Sequence, residues 1–239
     1  MSIYHGDCFE WLKTVADDTV DCVVTDPPYD IANTTAGKSA YQERIQRNMD
    51  ELKELSITDG FNEQVLDELV RVCKGINMYF FCNKAQLPMY FDYFVTKHGC
   101  SFDLIKWVKT NPVPAYSNKY ISDTEYCFYA RKGGYCNPEN YADGSTLYRS
   151  PLNKKDKDKY GHPTIKPLPL LERLIRNSSK PGQLILDPYM GSGSTAVAAI
   201  NMGRDYIGAE LTEKYYKICQ QRIKEAELSN KPNSILNFI

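Results

Sequence analysis

Short apolar segments alternate with segments of helical periodicity along most of this 239-residue chain. The segments with β-strand character lie at residues 20–25, 77–82, 103–109, 125–130, 183–186 and 205–209. The segments with helical character lie at residues 9–16, 62–72, 85–97, 167–177, 194–202 and 212–228. This alternation predicts an α/β fold, with a mostly parallel central sheet flanked by helices, built as a single domain over residues 1–239.

Two long stretches interrupt the alternation, at residues 30–62 and 132–164. Both follow predicted strands, and ligands of open parallel sheets bind at the carboxyl ends of the strands. Structureless stretches of this length in a compact domain are commonly binding loops, lids or disordered linkers. We therefore expect both stretches to border a functional site.

The composition argues against a membrane protein, a secreted protein and a zinc-binding protein. No apolar run approaches the roughly 20 residues that a membrane-spanning helix needs, and the first residues show no basic lead with an apolar core. The eight cysteines form no Cys-x-x-Cys pair, and there are only three histidines, so we expect no metal site. The cysteines are expected to be core residues of a soluble protein inside the cell.

The charge is unevenly distributed, although the net charge is only −1. Residues 1–96 hold 8 Lys and Arg against 16 Asp and Glu, whereas residues 97–166 hold 12 against 7. The basic middle third could tolerate a polyanion such as a nucleic acid. A basic segment is more often simply a solvated face, so the charge alone is weak evidence for a nucleic-acid partner.

A carboxylate, two prolines and an aromatic residue follow the strand at 20–25, in the order Asp26-Pro27-Pro28-Tyr29. The prolines fix the backbone, so a rigid turn that ends a strand is the simplest interpretation. The flanking residues also suit chemistry on the exocyclic amine of a nucleobase. Asp26 and the Pro27 carbonyl can accept its two N–H hydrogens, and the Tyr29 ring can stack on the base.

A glycine-rich turn lies between the strand at 183–186 and the helix at 194–202. Gly191 and Gly193 permit close backbone approach, and the helix start favours an anionic group. No Gly-Lys-Ser/Thr follows, which excludes a P-loop. Glu210 ends the next strand, 23 residues after Asp187, a separation at which an acid commonly binds ribose hydroxyls. These features indicate S-adenosylmethionine, which combines a ribose with a carboxylate and donates methyl groups to amines.

Several motifs together resemble the amino-methylating DNA methyltransferases of the beta class, in which the catalytic motif precedes the cofactor motif. The matching segments are residues 4–8, 25–29, 107–112 with 125–126, 162–167 with 170–175, 187–195 and 205–210. The resemblance implies a Rossmann-like, S-adenosylmethionine-dependent methyltransferase fold with circularly arranged motifs. It also implies site-specific methylation of N6 of a flipped adenine in duplex DNA, because Asp26 stands where the cytosine N4 enzymes usually have serine. Methylation of cytosine N4 and a catalytically silent DNA-binding partner subunit are the alternatives.

The resemblance assigns a role to individual residues. The catalytic residues would be Asp26, Pro27, Pro28 and Tyr29. The cofactor-binding residues would be Asp7, Cys8, Asp26, Thr164, Lys166, Pro167, Asp187, Pro188, Tyr189, Gly191, Ser192, Gly193, Ser194, Thr195, Glu210 and Leu211. The DNA-binding residues would be Arg44, Arg47, Lys109, Arg149, Lys154 and Lys155.

The two long stretches and the partners follow from the same resemblance. Residues 30–62 could close over DNA or over the target base, and residues 132–164 are the candidate target-recognition segment, although short for that role. The expected partners are double-stranded DNA, a second copy in a homodimer and a cognate restriction endonuclease, with no membrane and no metal. A cytoplasmic, nucleoid-associated location in a prokaryote, or a phage origin, is expected.

Overall fold

An eight-stranded sheet forms the centre of the part of the chain that the structure, a computed structural model, describes: residues 1–29, 63–112, 120–161 and 165–230. Its strands are β1 (Ser2–His5), β2 (Cys22–Thr25), β3 (Ile76–Cys82), β4 (Ser101–Lys109), β5 (Thr124–Lys132), β6 (Leu147–Ser150), β7 (Leu184–Asp187) and β8 (Asp205–Glu210). They are arranged in the order β1-β8-β7-β2-β3-β5-β4-β6. Strand β5 pairs antiparallel with both of its neighbours, and the other pairs are parallel.

Helices cover both faces of the sheet. They are α1 (Cys8–Leu12), α2 (Gln64–Val72), α3 (Leu87–Tyr90), α4 (Lys154–Tyr160), α5 (Leu168–Ser178), α6 (Ser194–Asn201) and α7 (Glu213–Ser229), and α3 continues as a π-helical segment, Phe91–Lys97. Side chains of α1, α2 and α3 pack on one face, and those of α5, α6 and α7 pack on the other. The predicted α/β fold with a mostly parallel sheet is therefore confirmed.

Successive side chains of a strand point to opposite faces of the sheet, so one sheet can contribute to two cores. Met78 and Phe80 of β3 point into the core beneath α1–α3, whereas Tyr79 and Phe81 point into the core beneath α5–α7. All seven residues of β3 are buried, as expected for a central strand covered on both faces. All eight cysteines are free thiols, and seven of them are buried. Within the described ranges, no helix is long and apolar enough to cross a membrane.

The prediction that residues 132–164 lack regular structure is wrong. This stretch contains β6, which pairs in parallel with β4, and the helix α4. The sequence of α4, KKDKDKY, offers no apolar face, so periodicity could not reveal it. The Asn153 side chain caps its first turn, and Lys159 and Tyr160 bind Glu225 of α7 at 2.9 and 2.6 Å.

Two further differences concern short elements near the start of the chain. Strand β1 was not predicted, because it is short and mostly exposed and is defined by its pairing with β8. Helix α1 ends at Leu12, earlier than the predicted residue 16. The stretch 30–62, with Arg44 and Arg47, lies outside the described residues, and so does Thr164.

Candidate active site

A cavity of about 200 Å³ opens at the carboxyl ends of β1, β2, β7 and β8. These strands are neighbours in the sheet and run in the same direction, so the segments that follow them meet at one edge. Most of the residues predicted for the catalytic and cofactor sites line this cavity. They are Asp7, Cys8, Asp26, Pro27, Pro28, Tyr29, Lys166, Asp187, Pro188, Tyr189, Gly191, Ser192, Ser194, Thr195, Glu210 and Leu211.

Two of the predicted cofactor residues support the cavity without being among its lining residues. Gly193 precedes α6 with a φ of 78°, and a Cβ there would lie 2.6 Å from Sγ of Cys219. Only glycine fits this combination of backbone conformation and close approach. The carbonyl of Pro167 accepts a hydrogen bond from the Leu170 N–H at 3.1 Å and so closes the first turn of α5.

Asp187 ends β7, and neutral donors hold its carboxylate. The Thr25 hydroxyl donates to Oδ1 at 2.7 Å, and the Tyr189 backbone N–H donates to the same oxygen at 3.0 Å. Burial raises the pKa of Asp187 to about 6. Thr25 immediately precedes the segment Asp26-Pro27-Pro28-Tyr29, the proline turn, so this hydrogen bond joins the glycine-rich turn directly to the proline turn.

Glu210 lies on the other side of the glycine-rich turn. Its two carboxylate oxygens accept the backbone N–H groups of Gly191 at 2.7 Å and of Thr212 at 2.8 Å. Burial raises the pKa of Glu210 above its ordinary value. The carboxylate is therefore fixed in orientation, and each oxygen keeps a lone pair for a further donor.

The proline turn holds Asp26 between a hydroxyl and an ammonium group. The Tyr29 hydroxyl donates to Oδ1 at 2.8 Å, and Nζ of Lys166 forms an ion pair with Oδ2. Burial raises the pKa of Asp26, although Lys166 opposes this shift. The Gln86 side chain donates to the Pro28 carbonyl at 3.0 Å and fixes the turn from α3. Removing the Gln86 side chain would take this donor from the carbonyl and loosen the proline turn.

Two residues of the site carry roles that the sequence did not reveal. Glu125 of β5 accepts from Lys166 at 2.7 Å. Arg222 of α7 is buried and donates to the carbonyl and hydroxyl of Ser192, each at 2.8 Å, and to the Ser194 hydroxyl at 2.9 Å. In the sequence, the only indication of these two roles is that each residue is charged and lies on an otherwise apolar strand or helix face.

The structure places the predicted DNA-binding residues in different surroundings. Arg149 is exposed on β6, and Lys154 and Lys155 are exposed in the first turn of α4. Lys109 instead forms an ion pair with Glu125 at 3.1 Å, with its side chain only 19% exposed. Because that pairing engages its ammonium group, Lys109 is a weaker candidate for a phosphate contact than the three exposed residues.

The family follows from comparison with known proteins. Residues 20–221 match the family model for N6/N4 methyltransferases, described as DNA methylase. The chain belongs to this DNA methylase family. The match runs from the strand before the proline turn to α7, and so includes both turns that border the cavity.

Relatives and solved structures similar to this methylase cover nearly the whole chain. The Type II methyltransferase M2.DpnII of Streptococcus pneumoniae is 29% identical, over 96% of this chain and 92% of the relative. M2.LlaDCHI of Lactococcus lactis subsp. cremoris is 30% identical, over 93% and 89%. The structure of the M1.HpyAVI–SAM complex superposes with a TM-score of 0.64 at 27% identity, over 93% of this chain and 98% of that chain. The cytosine-N4-specific PvuII methyltransferase, 16% identical with a TM-score of 0.68, shares the fold.

Proposed function

We propose that this DNA methylase transfers a methyl group from S-adenosylmethionine to N6 of an adenine that is flipped out of duplex DNA. The observation that carries the proposal is that the proline turn and the glycine-rich turn open into one cavity and are joined by the hydrogen bond from Thr25 to Asp187. An amine acceptor and a methyl donor would therefore meet within a single site. The catalytic motif precedes the cofactor motif, which favours the beta class.

The charges of the cavity fit a cationic cofactor. Its charged lining residues, among those that the structure describes, are Lys166 and the carboxylates Asp7, Asp26, Asp187 and Glu210. The raised pKa values of Asp187 and Glu210 show that burial leaves these carboxylates short of positive partners. When bound, S-adenosylmethionine supplies a methyl group on a positively charged sulfonium. The M1.HpyAVI structure was solved with SAM, which supports this choice.

Side chains around the glycine-rich turn prepare the site for the cofactor. Arg222 holds Ser192 and Ser194, and hence the glycine-rich turn, against α7. Glu210 presents its fixed carboxylate to ribose hydroxyls. Burial raises the pKa of Cys8, the cysteine in the cavity lining, to about 11, so its thiol is protonated and is not a nucleophile.

At the proline turn, Asp26 and the Pro27 carbonyl can accept the two N–H hydrogens of the amine. This pairing favours a tetrahedral nitrogen whose lone pair is available, and rigid prolines avoid reorganisation during the reaction. The nitrogen loses one proton when it gains the methyl group, and Asp26, whose pKa is raised by burial, can accept that proton. The Tyr29 ring provides a face for base stacking, worth about 1–3 kcal/mol.

Transfer to adenine N6 can be tested by digesting DNA after incubation with the enzyme and S-adenosylmethionine, and weighing the nucleosides. We expect N6-methyldeoxyadenosine. N4-methyldeoxycytidine as the sole product would contradict the choice of base while leaving the chemistry intact. Cofactor binding without any methylated nucleoside would instead favour the silent partner subunit.

A restriction endonuclease is the proposed protein partner. Both relatives described above carry Type II methyltransferase names, which supports membership of a restriction-modification system.

The surface formed by Arg149, Lys154 and Lys155 is the proposed contact for DNA phosphates. Strand β6 runs in the same direction as β4 and the other parallel strands, so the chain that leaves it starts at the edge of the sheet that bears the cavity. Helix α4 follows there and is attached to α7 through Glu225. Phosphates bound at α4 would therefore lie on the same side of the molecule as the cavity.

Replacing Lys154 and Lys155 together with alanine should weaken DNA binding and flatten its dependence on salt. Each lost phosphate contact lowers the slope of log affinity against log salt by about 0.9, so the double substitution should lower it by about 1.8. Lysine is unfavourable at a helix N-terminus, so α4 should remain folded. Fluorescence anisotropy on a duplex, at several salt concentrations, measures the slope.

The matched control is the double substitution Lys74→Ala and Lys180→Ala. These residues precede β3 and β7 and so lie at the opposite edge of the sheet. An unchanged slope for Lys154→Ala/Lys155→Ala, or an equal change for the control, would count against the proposed surface.

Cofactor affinity should fall as the pH decreases through 6, because the raised pKa of Asp187 is about 6. Protonated Asp187 is neutral and attracts a cation less strongly, so the affinity at about pH 5 should be up to about tenfold lower than at pH 7. Asp187→Asn keeps Oδ1 as the acceptor for Thr25 and removes the titration. Calorimetry on both proteins should therefore show a weaker pH dependence in the variant. The same dependence in both would exclude Asp187 as its source.

A further inference from the structure

Both oxygens of the Asp26 carboxylate are already engaged in this structure. Oδ1 accepts from the Tyr29 hydroxyl at 2.8 Å, and Oδ2 forms an ion pair with Nζ of Lys166. The Lys166 side chain is only 7% exposed, so water can compensate little of its charge. An amino group that donates to Oδ2 of Asp26 must therefore share this oxygen with Lys166 or displace the ammonium group from it.

A second carboxylate binds the same ammonium group. Oε1 of Glu125 lies 2.7 Å from Nζ of Lys166, and Oε2 of Glu125 lies 3.1 Å from Nζ of Lys109. The charges therefore alternate from Asp26 through Lys166 and Glu125 to Lys109, and they sum to zero. Burial alone would raise the pKa of Glu125, but the two lysines hold it at about 2. Glu125 thus remains a stable counter-charge for Lys166 at any physiological pH.

The sheet, rather than a loop, sets the geometry of this pair. Glu125 of β5 faces Trp107 of β4, and Lys109 lies two residues further along β4 on the same face. This diagonal arrangement brings long side chains within reach of each other. Nζ of Lys109 also lies 5.2 Å from the centre of the Trp107 ring, and Nζ of Lys166 lies 5.0 Å from that of Phe81. The aromatic rings favour the same positions of both ammonium groups.

We propose that Glu125 and Lys109 are positioning residues for methyl transfer. Glu125 retains the Lys166 ammonium when the amino group of the target base takes its place on Oδ2 of Asp26, and Lys109 keeps Glu125 turned toward Lys166. The inference rests on the proposed function, because it requires an amino acceptor at Asp26. In the absence of Glu125, the full attraction of Lys166 would fall on Asp26 and make its carboxylate a poorer acceptor.

The kinetic test uses single-turnover methyl transfer at saturating cofactor and DNA. Glu125→Gln should slow transfer by up to about 100-fold, the cost of a misplacement of about 1 Å at a reacting group, with cofactor affinity unchanged. Lys109→Met should slow transfer less, and Lys109→Arg should restore it. Because Lys109 acts through Glu125, the double variant Glu125→Gln/Lys109→Met should be no slower than Glu125→Gln alone. Glu139→Gln, at an exposed glutamate, is the matched control.

A second readout requires neither DNA nor cofactor. Carbon-13 NMR of the labelled Asp26 carboxyl group should show a pKa at least about one unit lower in Glu125→Gln, because a neighbouring negative charge is removed. Lys109→Met should not lower this pKa. The titratable groups that face Asp26 are Lys166, Glu125, Tyr29, Asp187, Cys82, Cys127 and Tyr90. The Tyr29 hydroxyl also lies 3.2 Å from Oε1 of Glu125, and Gln keeps this oxygen as an acceptor, so the substitution removes only the charge of Glu125.

The outcomes separate this inference from the proposed function. If the wild-type enzyme methylates DNA but Glu125→Gln transfers at the same rate, the positioning role is wrong. Additive losses in the double variant, or a parallel loss of cofactor affinity, would show a merely structural role. If the wild-type enzyme methylates no base, the proposed function fails, and the Asp26 titration still decides whether Glu125 shares Lys166: an unchanged pKa overturns the inference.

Discussion

Replacing Asp26 with asparagine should reduce the rate of methyl transfer by about 10²- to 10³-fold, the usual cost of removing one pre-oriented polar group from a reaction centre. The variant keeps Oδ1 as the acceptor for the Tyr29 hydroxyl and replaces Oδ2 by an amide group that donates. It therefore loses the acceptor for the N–H of the base and the group that can take its proton. Single-turnover transfer to DNA with saturating cofactor measures the loss.

The Asp26→Asn variant should still bind S-adenosylmethionine, because Asp187, Glu210 and the glycine-rich turn do not depend on the Asp26 side chain for their hydrogen bonds. Calorimetry should therefore show a loss of affinity far smaller than the loss of transfer rate, because these hydrogen bonds are unchanged. Asp92→Asn, at an exposed position on the π-helical segment, is the matched control. Transfer at more than about a tenth of the wild-type rate would show that the carboxylate is not needed.

The fold could be predicted from the sequence because the central elements carry strong local patterns. The buried strands β2, β3 and β7 are short apolar runs, and α5 shows a clear apolar stripe. Elements without such a pattern cannot be predicted from the sequence. Strands β1 and β6 are short edge strands defined by their partners, and α4 is polar on every side and attached through Glu225.

The candidate site was predictable to the extent that it follows strand ends. Both turns lie directly after parallel strands, and the topology brings such segments together. The sequence could not reveal contacts between distant positions, such as Arg222 with Ser192 or Glu125 with Lys166. The resemblance assigns Lys109 to DNA binding, and only the pairing of β4 with β5 shows that it lies beside Glu125.

Gly208 of β8 is a further position whose importance only the structure shows. A Cβ on this residue would lie 2.2 Å from the backbone oxygen of Asp187 and 2.5 Å from Cε of Met190. The methionine side chain can move, but the backbone oxygen belongs to the end of β7, which positions the Asp187 carboxylate. Any side chain at position 208 must therefore push apart β8 and the start of the glycine-rich turn.

Gly208→Ala should consequently weaken cofactor binding and slow methyl transfer, the latter by a factor on the order of 10², because a displacement of about 1 Å at a positioned group can cost this much in rate. Overpacking should also destabilise the fold by about 1–3 kcal/mol, which thermal unfolding measures. Gly144→Ala is the matched control, since its Cβ would meet nothing closer than 3.6 Å, and it should behave as wild type. A cofactor affinity and melting temperature unchanged in Gly208→Ala would mean that β8 can yield without moving Asp187. If affinity falls while Gly144→Ala remains unaffected, the separation between β7 and β8 is what sets the geometry of the cofactor site.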